Sequence, residues 1–112
     1  MQLDMTGYDK NASGQIHFVR DFTNDSLTSF TKTLASTYLG KSAVQLKDLK
    51  CNYGCSDHAR WTQKGFPSVF PFETSFEDHN RAIHTSRDTV SVVNPDHAFQ
   101  FVRLGGAFLV EM

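Results

Sequence analysis

The acidic side chain nearest the amino end, Asp4, follows the apolar start of the segment Met-Gln-Leu-Asp-Met-Thr-Gly. A carboxylate at the carboxyl end of a buried strand is costly unless a cation or hydrogen-bond donors meet it. In open α/β sheets, the carboxyl ends of the strands are also where ligands bind. Asp4 is therefore a candidate ligand-binding residue, and the alternative is that it only caps the turn at Thr6-Gly7.

Among the five histidines, His84 has the most informative surroundings. It follows an irregular polar stretch and precedes a predicted helix start, with Thr85 or Ser86 as the cap. This pattern places an imidazole at a rigid junction, which is the position expected of a ligand. A lone histidine is more often a surface residue or one satisfied by ordinary hydrogen bonds, and this interpretation applies to His17, His58, His79 and His97.

Cys51 and Cys55 are the only cysteines and lie in the segment Cys-Asn-Tyr-Gly-Cys. Three interpretations stay open: a disulfide that closes a small loop, two free thiols, or a zinc site in which His58 is the only nearby further ligand. The adjacent segment Ser56-Asp57-His58 has the residue types of a catalytic triad. Neighbouring side chains on a helix point in different directions, so these three residues cannot form one. The sequence also lacks a Glu-Glu pair, a Gly-x-Ser-x-Gly motif and a phosphate-binding loop.

The composition argues against several classes of function. The 112 residues include 11 Lys and Arg against 12 Asp and Glu, so the formal charge of −1 provides no basic field for a nucleic acid. No apolar run approaches the roughly 18 residues of a membrane helix. The first residues show neither the basic nor the apolar region of a signal peptide. We therefore expect neither a nucleic acid nor a membrane as partner.

Phenylalanine is unusually frequent, with ten residues, and Phe70, Phe72 and Phe76 fall close together. A small domain buries so many rings only against a large surface. The chain is therefore either part of a larger unit or carries an apolar pocket. Both of its ends also lie beside apolar stretches, whereas the ends of a domain are usually polar and exposed.

Strands and helices alternate along the chain, which predicts a layered α/β fold. Asn24 to Ser26 supply the candidate N-caps of the first long helix, and Asn94 is the predicted N-cap of the last one. In the last helix, Gly105 and Gly106 indicate close packing on a sheet. The predicted strands are Met1–Met5, Gln15–Phe22, Ala43–Leu49 and Pro67–Phe72, and the predicted helices are Asn24–Gly40, Ser56–Gly65 and Asn94–Val110.

Four sequence blocks, in matching order and at matching spacing, make the chain resemble the secreted bacterial leucyl aminopeptidases, which are metalloexopeptidases with two zinc ions. The blocks are Leu3–Tyr8, Cys51–Trp61, Pro71–Glu73, and Ile83–Thr85 with Asp88-Thr89. The resemblance extends from Met1 to Met112. It implies that the fold is part of a three-layer α/β/α sandwich with a mixed, largely parallel sheet.

The resemblance also implies roles for individual residues. Asp4 matches a ligand of one zinc ion and His84 matches a ligand of the other, while Cys51 and Cys55 match a disulfide pair. Tyr53 matches a tyrosine that lies beside the reacting carbonyl. The residues matched to the substrate-binding pocket are Met5, Val19, Tyr53, Cys55, Phe70, Phe72, Phe76, His79 and Ile83.

Two elements of the family are absent from this sequence, namely a His-x-Asp motif and the Glu-Glu pair that contains the general base. We therefore interpret residues 1–112 as the C-terminal part of a zinc aminopeptidase catalytic domain, with the N-terminal part absent and with no catalytic residue of its own. The isolated chain is expected to be inactive. The complete protein is expected to be secreted or periplasmic and to act on peptide or protein N-termini with large apolar first residues.

Two alternatives to this interpretation stay open. One is an enzyme of the same fold with one zinc ion, of the glutaminyl cyclase or carboxypeptidase type. The other is a non-catalytic fragment or interaction module. His79 stands where we expect a tyrosine, which leaves the preferred first residue of the substrate open.

Overall fold

A computed structural model describes residues 1–10, 12–40 and 45–112. Within these ranges, no helix combines the length and the apolar character needed to cross a membrane. The elements in chain order are strand β1 (Gln15–Val19), helix α1 (Asp25–Tyr38), strand β2 (Gln45–Leu49), helix α2 (His58–Gln63), strand β3 (Pro71–Phe72), a 3₁₀ turn (Val90–Val92) and helix α3 (Pro95–Glu111).

The three strands form one mixed sheet in the order β2-β1-β3. β1 and β2 are parallel, with Gln15 opposite Gln45 and Val19 opposite Leu49. β1 and β3 are antiparallel and share a shorter ladder. The prediction of a mixed α/β fold is therefore confirmed.

Side chains of β1 alternate between the two faces of the sheet, because successive residues of a strand point to opposite sides. Ile16 and Phe18 are fully buried against residues of α1 and α3, including Leu34, Phe101 and Leu104. Full burial of each such side chain contributes about 1.5–3 kcal/mol. On the other face, Val19 belongs to a second apolar cluster, whose remaining buried members are Cys51, Phe70 and Phe72.

The two longer helices begin at the predicted caps. The side chain of Asn24 accepts a hydrogen bond from the N–H of Leu27, and that of Asn94 accepts from the N–H groups of Asp96 and His97. These bonds satisfy backbone donors that the first turn of a helix leaves free. Gly40 follows the end of α1 with φ +88°, a left-handed conformation that favours glycine.

The first five residues do not form the predicted strand. Gln2 donates its N–H to the carbonyl of Val69 at 2.9 Å. In a parallel ladder, the next hydrogen bond would run from the N–H of residue 71 back to the carbonyl of Gln2. Residue 71 is proline, which has no N–H to donate. Met5 then adopts a left-handed backbone with φ 55°, which ends the pairing. The prediction of a strand over Met1–Met5 is therefore wrong, and these residues lie alongside β3 without forming a ladder.

Other predicted boundaries also shift. β1 ends at Val19 instead of Phe22, and Phe22 has a left-handed backbone with φ 55°. β3 begins at Pro71 instead of Pro67, because its ladder with β1 covers only two pairs. Helix α2 begins two residues after Ser56. The predicted strand positions Ala43 and Val44 lie outside the described residues.

Two expectations about the C-terminal third are wrong. No helix starts at Thr85 or Ser86, because residues 81–87 form successive turns and a bend. The two glycines of α3 do not pack on the sheet. A Cβ at Gly105 would meet the side chains of Leu3 and Met1, and a Cβ at Gly106 would meet nothing within 4 Å.

Candidate functional site

One cavity of about 430 Å³ collects the residues that the sequence singled out. Asp4 and His84, eighty positions apart, both line it, and so do all nine residues matched to the substrate pocket. The cavity lies beside the sheet face that carries Val19, Phe70 and Phe72. Its further lining residues include Glu73, Asn80 and Asp88.

Asp4 is exposed, and one of its oxygens has a defined partner. The hydroxyl of Ser56 donates to Asp4 Oδ2 at 2.7 Å. The alternative that Asp4 caps the Thr6-Gly7 turn is wrong, because the N–H of Gly7 donates to Glu73 Oε2 instead. The geometry thus leaves the second carboxylate oxygen of Asp4 available beside the cavity.

The loop that carries Ser56 and Tyr53 is closed by a disulfide between Cys51 and Cys55. The N–H of Cys51 donates to Asp21 Oδ2 at 2.8 Å, which ties this loop to the end of β1. The expected disulfide is therefore confirmed, and the sulfurs are unavailable as zinc ligands.

His58 also belongs to the structure of this region and not to a metal site with the cysteines. Its ring is buried and lies 4.8 Å from the ring of Phe70, measured between centroids. Its Nε2 donates to the carbonyl of Asp21 at 2.9 Å. Burial lowers the pKa of His58, with nearby acidic and carbonyl groups opposing the shift. The zinc interpretation of Cys51, Cys55 and His58 is therefore wrong.

Glu73 is a buried carboxylate that the sequence reasoning did not assign to the site. Its Oε2 accepts the N–H groups of Gly7 at 2.7 Å and Tyr8 at 2.6 Å. Its own N–H donates to the carbonyl of Met5, and its carbonyl accepts from His97 Nε2. Burial raises the pKa of this carboxyl, although the two N–H donors oppose the shift. Glu73 therefore anchors the loop that follows Asp4.

His84 lies on a loop closed by polar side chains. Asn80 donates through Nδ2 to Asp88 Oδ1 at 2.9 Å, and its Oδ1 accepts the N–H of Ala82. His84 itself has φ 64°, a left-handed backbone that costs about 1–2 kcal/mol in a residue with a Cβ. Met5, next to Asp4, shares this conformation. Such strain concentrates at functional sites, where the surrounding structure enforces it.

Aromatic rings form the apolar wall of the cavity. Phe70 and Phe72 are buried and meet edge to face, with centroids 5.7 Å apart. Phe76 continues the wall and lies 5.2 Å from the ring of His79. Tyr53 is more than half exposed and contacts Phe76 edge to face. The wall is therefore apolar, with a phenol at its edge.

His79 places one polar atom on this wall. Its Nδ1 lies within hydrogen-bond distance of the carbonyl of Phe76. Because a carbonyl can only accept, Nδ1 carries the proton and Nε2 is the free acceptor of the ring. On this aromatic side of the cavity, His79 therefore adds an imidazole nitrogen to the phenyl rings.

The donors present suit zinc but do not complete a site. Asp4 offers a carboxylate oxygen and His84 an imidazole nitrogen, both of which zinc accepts. Catalytic zinc takes three protein ligands, and no group of three His, Cys, Asp or Glu side chains within residues 1–10, 12–40 and 45–112 is placed to hold an ion. Asp4 and His84 alone therefore do not make a catalytic zinc site.

Comparison with known proteins places this geometry in a family. Residues 1–108 match Peptidase family M28. Leucine aminopeptidase 1 of Ajellomyces capsulatus (strain H88) is 38% identical over 117 residues, and the match covers 100% of this chain and 30% of that protein. The probable aminopeptidase YDR415C of Saccharomyces cerevisiae is 32% identical, with 100% of this chain and 29% of that protein covered.

Solved structures give the same result. The Legionella pneumophila LapA aminopeptidase superposes with a TM-score of 0.90 at 39% identity, over 96% of this chain and 29% of that chain. LapB from Legionella pneumophila superposes with a TM-score of 0.91 at 40% identity, over 98% of this chain and 30% of that chain. The chain thus spans less than a third of the length of these relatives.

Proposed function

Because this chain belongs to peptidase family M28, we propose that it forms one wall of the active site of a zinc-dependent aminopeptidase. The observation that supports this proposal is the single cavity that Asp4 and His84 share with the aromatic wall. The remaining ligands and the general base come from polypeptide that corresponds to the part of the relatives that this chain does not cover. The isolated chain is then inactive.

Asp4 and His84 each donate one ligand to a zinc ion in this proposal. Bound zinc polarises the scissile carbonyl and lowers the pKa of a coordinated water. Ser56 fixes the rotamer of Asp4 by its hydrogen bond to Oδ2, which leaves the other oxygen free to bind the metal. Tyr53 stands at the exposed edge of the cavity, where its hydroxyl can donate to the carbonyl of a bound peptide.

Glu73 is not the general base in this proposal. Its Oε2 already accepts two backbone N–H groups, and the residue is almost fully buried. These bonds give Glu73 a structural role, and the proposal takes the general base from polypeptide outside residues 1–112. Glu73 instead holds the loop after Asp4 in position.

The cavity suits a large apolar first residue of the substrate. Phe70, Phe72 and Phe76 supply its apolar surface, and burying a leucine or phenylalanine side chain there contributes about 1.5–3 kcal/mol. His79 adds a hydrogen-bond acceptor at the wall. We therefore propose selection of large uncharged side chains, with tyrosine accepted as well.

The alternatives from the sequence have less support. The similar proteins include leucine aminopeptidases and the LapA aminopeptidase of Legionella pneumophila, which favours this reaction over cyclisation of N-terminal glutamine or cleavage at the carboxyl end. A substrate panel of aminoacyl, glutaminyl and C-terminally free peptides separates these reactions. Activity of a hybrid with LapA distinguishes the enzymatic role from the non-catalytic alternative.

The test compares the isolated chain with a hybrid, in which residues 1–112 replace the matching segment of LapA. We expect the hybrid to hydrolyse leucine-p-nitroanilide and to lose this activity with a chelator. The isolated chain should give no hydrolysis above buffer. Chelator-sensitive hydrolysis by the isolated chain would refute the shared site, and a folded hybrid without activity would refute the enzymatic role.

The disulfide bears on the location of the protein. Disulfides persist in oxidising compartments and are rare in the cytosol. On this basis we propose that the protein works outside the cytosol, as a secreted or periplasmic protein. Fractionation of cells that produce it, with alkylation of free thiols to follow Cys51 and Cys55, tests this: a chain reduced at both cysteines in the cytosolic fraction contradicts it.

A further inference from the structure

Residues 80–88 form a loop that carries His84 at its centre, and the hydrogen bonds inside this loop set its shape. Within the part of the chain that the structure describes, every hydrogen bond of residues 81–88 joins two residues of the segment 77–88. None of these bonds reaches the sheet or a helix. Ile83 lines the cavity, but the path of the backbone from residue 80 to residue 88 depends on contacts inside the loop.

Asn80 makes the bonds that close the loop, and this residue is only 8% exposed. Its Nδ2 donates to Asp88 Oδ1 at 2.9 Å, and its Oδ1 accepts the N–H of Ala82 at 2.9 Å. An amide offers a donor and an acceptor together, whereas a carboxylate of the same size only accepts. The reverse orientation of the amide would set donor against donor at Ala82 and acceptor against acceptor at Asp88. The two bonds therefore fix how the amide of Asn80 is oriented.

The bond between Asn80 and Asp88 joins a buried amide to an exposed carboxylate. If Asp88 moves away, the Nδ2 of Asn80 loses its partner, and a buried donor without a partner is costly. The bond thus holds the end of the loop against its beginning. His84 lies between these two ends with φ 64°, a conformation that persists only where the surrounding structure enforces it.

The imidazole of His84 is not held by a hydrogen bond of its own. Among the described residues, the histidines with a hydrogen-bonded ring are His58, His79 and His97, and His84 is not one of them. A metal-binding histidine usually donates its second ring N–H to a carboxylate or a carbonyl, which fixes the ring. The position of the His84 ring therefore follows from the backbone, and the backbone follows from the closed loop.

We propose that Asn80 and Asp88 are positioning residues for His84, because their bond holds the imidazole where it binds zinc. This inference rests on the proposed function, which assigns zinc binding to His84. Asp4 is oriented by Ser56, which lies on a different loop. Loss of the bond between Asn80 and Asp88 therefore weakens binding of the zinc ion at His84 more than binding of the ion at Asp4.

Four variants separate this bond from its surroundings. Asn80→Asp keeps the size of the side chain and the acceptor for Ala82 but removes the donor, so two carboxylates face each other. Asp88→Ala removes the acceptor from the exposed side. The double change Asn80→Asp with Asp88→Asn returns a donor to the pair from the opposite side, at unchanged net charge. Glu77→Gln is the control for the loss of an exposed negative charge beside the loop.

In the isolated chain, amide hydrogen exchange reports the loop without any metal. The N–H groups of Thr85 and Asp88 donate to the carbonyls of Ala82 and Thr85, both at 3.1 Å. We expect their exchange to accelerate at least about threefold in Asn80→Asp and in Asp88→Ala, because the loop opens locally. The double variant and Glu77→Gln should stay close to the parent chain.

In the LapA hybrid, zinc titration against a competing chelator reports the metal ligand. We expect Asn80→Asp and Asp88→Ala to weaken one of the two zinc ions about 10–100-fold, the range for loss of a residue that orients a metal ligand. The other ion should bind as in the parent hybrid, and the double variant should recover most of the lost affinity. A purely structural role would weaken both ions together with the fold, or neither ion.

Unchanged exchange in Asn80→Asp and Asp88→Ala would overturn the proposal, and so would faster exchange with unchanged affinity for both zinc ions. A folded double variant that binds zinc as weakly as Asn80→Asp would also overturn it, since the restored bond would then have no effect. If Asn80→Asp does not fold, Asp88→Ala decides, because Asp88 is exposed. A parent hybrid without zinc would instead refute the proposed function, and exchange in the isolated chain would still decide whether the bond holds the loop.

Discussion

Replacing Glu73 with alanine should destabilise the fold and loosen the loop that carries Asp4. The change removes the carboxylate that accepts the N–H groups of Gly7 and Tyr8. Hydrogen bonds to a charged group contribute about 1.5–3 kcal/mol each, and the cost of burying the carboxylate offsets part of that sum. We expect a loss of about 3 kcal/mol in the free energy of unfolding, a large share of the 5–15 kcal/mol typical of a domain.

The matched control is Glu73→Gln, which keeps an acceptor oxygen in the same place. We expect it to cost less than about 1 kcal/mol, because the weaker bonds of a neutral acceptor are offset by the smaller cost of burying an uncharged group. Urea unfolding, followed by the fluorescence of Trp61, measures both variants. Hydrogen exchange at Gly7 and Tyr8 should accelerate in the alanine variant and stay close to the parent in the glutamine variant.

The pH dependence gives an independent check on Glu73. Because burial raises its pKa, the folded chain binds this proton more tightly than the unfolded chain does. The stability that the fold gains from binding this proton more tightly is fully present below the usual pKa of glutamic acid. It is lost as the pH rises through the raised pKa of Glu73. Glu73→Gln cannot ionise and should flatten this slope. Equal losses for alanine and glutamine, or an unchanged pH slope, would refute the assigned role.

Three further predictions follow from other contacts. In the LapA hybrid, Ser56→Ala removes the hydrogen-bond donor to Asp4 and should weaken zinc affinity about 10–100-fold. Competition with a chelator measures this affinity, and an unchanged value would count against the role of Ser56. His79→Phe should lower the ratio of kcat/KM for tyrosyl over phenylalanyl substrates in the hybrid, and an unchanged ratio would remove His79 from the specificity wall. Phe101→Ala should cost about 3–5 kcal/mol in urea unfolding because this ring is buried, whereas the exposed Phe99→Ala should cost less than about 0.5 kcal/mol.

The parts of the fold that depend on local signals were predictable from the sequence. Asn24 and Asn94 cap their helices through their own neighbours, so the pattern of residue types sufficed. The mixed α/β fold followed in the same way, because segments with the two-residue apolar spacing of a strand alternate with segments that have the three- to four-residue spacing of a helix. The gathering of Asp4 and His84 into one cavity was predicted only through the resemblance, since the 79 residues between them set that geometry.

The errors arose where distant residues decide the local structure. The apolar start of the chain has the pattern of a strand, but Pro71 withholds the N–H that the ladder requires. The segment after His84 has residues typical of a helix cap, yet the bond between Asn80 and Asp88 closes a loop there. Glu73 escaped notice because its partners are backbone groups 65 and 66 positions away, which leave no side-chain motif.

The most direct test of the proposed site is the zinc content of the LapA hybrid by elemental mass spectrometry, with Asp4→Asn, His84→Ala and the exposed control Asp96→Asn. If Asp4 and His84 each hold a metal, each of those variants loses one zinc ion relative to the hybrid while keeping its fold, and the control keeps its full complement. Retention of the full zinc content in the Asp4 and His84 variants would contradict the assignment of this cavity as a metal site.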